Sequence, residues 1–183
     1  MKNLNLTLTL FIFFSSAVMA TDVAFLTAYR RDGSLIRLKR NEAFFHVFIK
    51  HDELWYNAAP GKKVEGVKNF RDAGFRYFTI TILRKTEHKF PYERLAPFLG
   101  LPYDYGFSWS DEAIYCSELI AKILDISPGP MYFDPTIWQK KYWKLNGRPG
   151  ISPDQVFYKL LDRGFKLHQV LPTESHDRIR EGS

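Results

Sequence analysis

Across residues 22–84 the chain is written in short runs of β-branched and aromatic residues broken by turn formers, and few folds accept that pattern. The firmest run is 77–84, YFTITILR, which predicts a strand. Residues 22–29 and 35–39 predict two strands around the turn Arg31-Asp32-Gly33-Ser34. Residues 44–50, apolar on both faces, predict a third, and residues 54–59, after the polar His51-Asp52-Glu53, a fourth. If those two form a hairpin closed by His51 and Asp52, Lys50 faces Glu53 and His46 faces Asn57, with Cβ atoms about 4.5–5.5 Å apart. Residues 64–73 predict a short helix stopped by Gly74, and residues 91–99 another, interrupted near its end by Pro97.

The clearest helix spans 114–124, where Cys116, Leu119, Ile120, Ile123 and Leu124 form one apolar stripe. Residues 127–150, rich in Pro, Gly and aromatics, predict a long surface excursion. A second helix opens at Ser152-Pro153-Asp154, with Ser152 as N-cap, and ends before Gly164. A last strand over 165–171 and a polar tail over 172–183 follow. The sum is an α+β domain, mostly antiparallel strands with helices against them.

Residues 1–20 have the form of a secretory signal peptide: Lys2, then a long apolar stretch, then Val18-Met19-Ala20 with small residues before a cut after Ala20. An uncleaved anchor is the alternative, although the stretch is marginal for a span of about 20 residues. The expected organisation is a signal peptide over 1–20 and one domain over 21–183, exported to the periplasm or secreted. Loss of Lys2 leaves 25 basic against 20 acidic residues, a charge of +5. A basic exported protein suits peripheral contact with an anionic envelope surface, although plain solubility accounts for the charge equally well. Oligomeric state cannot be read from the sequence.

One cysteine cannot close an internal disulfide, so in an oxidising compartment Cys116 is either buried and inert or used. Its place near a helix start favours the thiolate and supplies N–H groups for an oxyanion, while its place on the apolar stripe favours packing. His46, in Phe-Phe-His-Val-Phe-Ile, is either a satisfied core residue or a dry catalytic base. His51, His88, His168 and His176 lie in turns, a terminal strand or the tail. No HExxH or paired Cys/His spacing points to a metal, and no GxSxG, P-loop or GxGxxG is present, so neither metal nor cofactor is expected. Basic and aromatic residues interleave over 138–144, but the charge is not focused, which argues against nucleic acid.

Taken in order, several segments resemble one family. Asp22-Val23-Ala24-Phe25 is similar to its opening strand, Phe45-His46-Val47-Phe48-Ile49 to its histidine strand, and Leu54-Trp55-Tyr56-Asn57-Ala58 to the next strand with its polar third residue. Gly100-Leu101-Pro102-Tyr103-Asp104, Tyr115-Cys116-Ser117-Glu118-Leu119-Ile120 and Gly150-Ile151-Ser152-Pro153-Asp154 follow. The chain thus resembles the circularly permuted papain-like amidases, relatives of NlpC-type cell-wall endopeptidases and lecithin retinol acyltransferase. In that group the histidine and the polar residue precede the cysteine, as His46 and Asn57 precede Cys116 here. Three departures stand out: Thr21 and Phe48 occupy positions where glycine is usual, and Asn57 one where Glu is common. Phe48, two residues from His46 on the same strand face, is expected to narrow the cleft.

The resemblance implies a papain-like antiparallel sheet or partial barrel packed against the helix that carries the cysteine. It implies acyl transfer with Cys116 as nucleophile, His46 as base, Asn57 orienting the ring, and Tyr103 and Tyr115 as oxyanion or cleft residues. It also implies a thiolate formed below the ordinary value of about 8.5. The expected substrate is an amide in an envelope peptide or peptidoglycan fragment. The alternatives are a lipid substrate, cleaved or transferred as thioester or ester, and a binding module that has lost turnover.

Overall fold

The computed structural model describes residues 19–172, so the expected signal peptide, apart from its last two residues, and the tail after Pro172 lie outside the described residues. Strand β1 (Ala20–Tyr29) is the spine. Its Val23, Ala24, Phe25 and Leu26 are all fully buried, which requires cover on both faces of the sheet. Around it lie β2 (Leu35–Ile36), β3 (His46–His51), β4 (Leu54–Asn57), β5 (Glu65–Val67), β6 (Phe78–Thr86) and, late in the chain, β9 (Lys166–Leu171). The sheet runs β5-β4-β3-β1-β6-β9, antiparallel throughout, with β2 hydrogen-bonded to the end of β1.

The alternation of β1 sorts the core into two. Val23 and Phe25 join Val47 and Ile49 of β3 against helices α1 (Cys116–Ile123) and α3 (Pro153–Asp162). Ala24, Leu26 and Ala28 face the other way, with Phe48, Phe70 and Phe75. Val67 on edge strand β5 shares this second cluster with Ile80 of β6 and Leu171 of the opposite edge strand β9, so the sheet curls into a partial barrel. The expected α+β class and the sheet packed on the cysteine helix are both present.

Three local expectations give way. Residues 64–73 form not a helix but β5 followed by a short 3₁₀ turn, Phe70–Ala73. The reason is Gly66: it pairs with Tyr56, and a Cβ there would lie 2.9 Å from the Tyr56 ring, so the missing side chain admits the edge strand. Residues 91–99 form two 3₁₀ turns rather than a helix. The β3–β4 hairpin turns at Asp52 and Glu53, with Asp52 at φ 50, and pairs Lys50 with Trp55 and His51 with Leu54. That register is two residues from the expected one, so His46 is diagonal to Asn57 rather than opposite it. A shift of two preserves side-chain parity, and the two residues still share a face.

The largest departure is the stretch 127–150. Rather than a surface excursion, it is a structured flap closed by the pairing of β7 (Gly129–Pro130) with β8 (Pro149–Gly150) and carrying the one-turn helix α2 (Lys140–Trp143). Its Phe133, Trp138 and Tyr142 pack with Phe107, and Met131, Phe133 and Leu145 are buried with Tyr115. The flap packs on Tyr115, the residue before α1, while α1 itself, from Cys116 to Ala121, is buried against the sheet and α3. Gly150 fixes its closure: a Cβ there would sit 2.2 Å from Met131 Sδ and 2.4 Å from Cγ. Gly150→Ala is therefore expected to destabilise by about 1–3 kcal/mol through overpacking, read as a fall of several degrees in Tm. An unchanged Tm would mean that Met131 moves aside freely.

Candidate active site

Helix α1 starts at Cys116 because the backbone of Tyr115 is extended (φ −102°, ψ 166°) and the Glu118 carboxylate at N3 accepts from the Tyr115 N–H at 3.4 Å. The thiol is 5 % exposed and rests against β3. The backbone N–H groups of Val47, one residue past His46, and of Ser117 hydrogen-bond the sulfur. The Ser117 hydroxyl is held by Ile151 O at 2.8 Å.

On β3, His46 is 2 % exposed and its Nε2 lies 3.1 Å from Asn57 Oδ1 at the end of β4. An amide oxygen only accepts, so this contact puts the proton on Nε2 and leaves Nδ1 with a free lone pair. Behind the ring, Phe48 and Phe75 each lie 4.8 Å away, centroid to centroid. Phe48 is fully buried in the second core cluster and does not border the cleft. The expected narrowing is thus corrected: Phe48 backs the imidazole instead.

His46 and Cys116 open onto one cavity of about 230 Å³. Apart from a small polar patch at Lys39, Glu42, Ser152 and Gln155, its walls are apolar, with Tyr103, Phe107, Phe133, Trp138 and Tyr142 prominent among them. Tyr103 reaches the site through a bridge to Ile114, and the Asp104 carboxylate organises the loop beyond it by accepting from Gly106 N (2.6 Å) and Ser108 N (2.5 Å). Burial and the nearby Cys116 hold the Tyr103 phenol well above its ordinary pKa, so it remains an O–H donor. Tyr115 differs. It does not border the cavity, and its hydroxyl accepts from Ile151 N at 3.1 Å, which makes it a core residue rather than a cleft residue.

Burial decides the protonation of the pair. It pushes the Cys116 thiol up to about 11, against the N–H groups that favour the thiolate, and pulls His46 down to about 4, with Asn57 opposing. A preformed ion pair is therefore not the resting state at neutral pH, contrary to the expectation of a low thiol pKa: desolvation exceeds the helix-terminus effect. Alkylation of Cys116 by iodoacetamide should climb only above pH 9, towards an inflection at about 11. An inflection below the free-cysteine value of about 8.5 would overturn this.

One further anchor had no signal in the sequence beyond a helix opener. Asp154, in the first turn of α3, accepts from Ala43 N at 3.0 Å and Phe44 N at 2.9 Å, and so pins the backbone leading into His46. Its partners lie 111 and 110 residues upstream, a pairing that no local pattern encodes.

The comparisons with known proteins fit this arrangement. Residues 57–159 match the family model described as "Permuted papain-like amidase enzyme, YaeF/YiiX, C92 family". The chain belongs to this family of permuted papain-like amidases. The family is one of cysteine-hydrolase type, and the matched segment contains Asn57 and Cys116 while His46 lies just upstream of it. A curated relative, the uncharacterized protein YiiX of Escherichia coli K12, is 30% identical over 111 residues, which is 60% of this chain. The chain spans about half the length of that relative, 51%. A solved structure of YiiX from Escherichia coli O157:H7, described as a metalloprotein, superposes with a TM-score of 0.51 at 20% identity, over 76% of this chain and 92% of that one. At that identity the likeness speaks for the fold alone. The word metalloprotein belongs to that protein: among the described residues here no group of three or more His, Cys, Asp and Glu side chains could hold an ion. One thiol, one imidazole and one amide make a poor donor set for a metal.

Proposed function

We propose that this chain cleaves an amide bond through an acyl-enzyme on Cys116, with His46 as base and Asn57 orienting it. One juxtaposition carries the reading: the His46–Asn57 bond lies on the strand whose next N–H touches the Cys116 sulfur, and thiol and imidazole open onto the same cavity. With both groups neutral at rest, Nδ1 of His46 takes the thiol proton as sulfur attacks the carbonyl, rather than beforehand. The Cys116 N–H and the Tyr103 hydroxyl are the donors for the oxyanion. As the thioester forms and the C–N bond breaks, His46 returns its proton to the leaving amine. Water then hydrolyses the thioester, giving its proton to His46 and restoring the thiol.

The apolar walls support a substrate with an apolar group beside the scissile carbonyl. They suit a lipid-derived acyl group on that amide better than a wall peptide, whose carboxylates and amides would find few partners here. Loss of Phe48 from the cleft removes the main ground for an inactive binding module. Export remains a proposal, supported by the pattern of residues 1–20. Cleavage after Ala20 would forfeit only the Ala20–Thr86 pair at the end of β1.

Intact-mass spectrometry after exposure to phospholipid and, separately, to wall peptides tests the proposal. An acyl adduct that disappears in Cys116→Ala is the expected result. A lipid adduct selects lipid chemistry and a peptidyl adduct the wall. A thiol that forms no adduct with either and reacts only after denaturation would sink the enzyme reading.

A further inference from the structure

The flap 127–150 has two sides. Trp138 and Tyr142 line the cavity and pack on Phe107, and the Trp138 indole N–H donates to Leu38 O at 2.7 Å, which ties the flap to the chain after β2. Residues beside them are open to solvent. Ile137 and Trp143 are exposed, and Tyr132 borders the cavity yet is more than half exposed, as is Tyr105, so these two tyrosines stand at its mouth. Interleaved with the exposed apolar groups are Lys140, Lys141, Lys144 and Arg148, all exposed, and none of them forms an ion pair among the described residues. Only Lys141 has a contact, with its Nζ 5.0 Å from the centre of the Tyr142 ring. The single acid of the flap, Asp134, is buried, with Arg40 at 3.7 Å and the Thr136 hydroxyl donating to it. The outer side thus shows uncompensated cations set among apolar groups. Trp143 donates its indole N–H to Trp138 O at 2.9 Å, so its ring can leave water without orphaning a donor.

We infer that the outer side of the flap docks on an anionic lipid bilayer, with the lysines and Arg148 at the phosphates and Trp143 and Ile137 in the headgroup boundary. A soluble polyanion would engage the cations and leave Ile137 and Trp143 in water. A zwitterionic bilayer would take the apolar groups and leave the charges unmatched. An anionic bilayer satisfies both at once. Docking needs no turnover. Its use does rest on the reading of the cavity as the substrate site: with the mouth at Tyr132 on the docked flap, an apolar group passes from bilayer to cavity with little exposure to water.

Quenching of tryptophan fluorescence by brominated lipid tests the inference on the full chain, because residues 1–20 contain no tryptophan and the signal reports the domain. The probes are vesicles of brominated phosphatidylcholine, alone or with an equal part of phosphatidylglycerol. Half-maximal quenching should need at least about tenfold less lipid when phosphatidylglycerol is present, since each basic side chain near an anionic surface strengthens binding about fivefold. In Lys140→Gln/Lys144→Gln that advantage should fall by at least about fivefold with Tm unchanged. Trp143→Phe should lose most of the quenching and still sediment with the vesicles. Equal quenching with and without phosphatidylglycerol, an unchanged advantage in the lysine variant, quenching that persists in Trp143→Phe, or tighter binding to a single-stranded oligonucleotide than to the anionic vesicles would each overturn the inference. The comparison of the two vesicles uses the unmutated chain, so it decides even if a variant fails to fold. Cys116→Ala should dock as the parent does. Absence of an acyl adduct on Cys116 would therefore leave docking intact, and absence of docking would leave an adduct formed with a soluble substrate in place.

Discussion

His46→Ala is expected to lower turnover by about 10²–10⁴-fold with the thiol still in place, because the step it removes is the proton transfer itself. In a resting pair that is already ionised, removing the base costs less, since the nucleophile is already formed. Here burial holds Cys116 at about 11 and His46 at about 4, so the thiol depends on the imidazole at the moment of attack. The same values predict the shape of the pH profile. kcat/KM should be flat through neutrality, with its acid limb near 4, where His46 protonates. An acid limb near 6.5, the ordinary histidine value, would mean that the imidazole is solvated and that the dry site is wrong. Asn57→Ala should also slow turnover, because the ring loses the acceptor that holds the proton on Nε2, while thiol alkylation stays as in the parent.

The second large effect is on stability, where two buried groups oppose each other. His46 is depressed from 6.5 to about 4 in the fold, so the folded state binds fewer protons than the unfolded chain between those values. Its contribution is fully present above pH 6.5 and lost as pH falls to 4, about 3 kcal/mol in all. Glu118 is fully buried at the helix start, and burial raises its carboxyl from 4.5 to about 7, with the Lys122 ammonium at 2.9 Å opposing. The folded state then binds more protons than the unfolded one, and stability rises by a similar amount, about 3 kcal/mol, as pH falls from 7 to 4.5. The two nearly cancel, so urea unfolding of the parent protein should change little between pH 7 and pH 4.5 on their account. Glu118→Gln should expose the loss due to His46, and His46→Gln the gain due to Glu118. Variants that both track the parent across this window would show that neither group is shifted by burial.

Much of this domain follows from local pattern. The strands are there because β-branched and aromatic residues recur with turn formers between them, and β1, β3, β4 and β6 lie where that pattern puts them. Helix α3 begins at Pro153 because Ser152 and Gln155 cap it reciprocally, a signal of four adjacent residues. Cys116 heads its helix for equally local reasons. The likeness to permuted papain-like amidases was carried by six short segments and their order, which a family match over residues 57–159 supports.

Tertiary structure decided what local pattern could not. The hairpin register depended on where the chain reverses, and Asp52 in the left-handed region moved it by two residues while parity kept His46 and Asn57 together. Residues 64–73 have a helical period, yet Gly66 fits under Tyr56 and the segment pairs as an edge strand. The aromatics of 127–150 read as loop because they lack a period, and they became the wall of the cavity by packing on Phe107. Asp154 and Glu42 could not be placed by sequence: one meets Ala43 111 residues away, the other Ser152 110 away. The charge states of Cys116 and His46 belong to the same class. Residue type and helix position set the direction that local electrostatics favours, but desolvation depends on everything packed around the site, and that sum exists only in the folded chain.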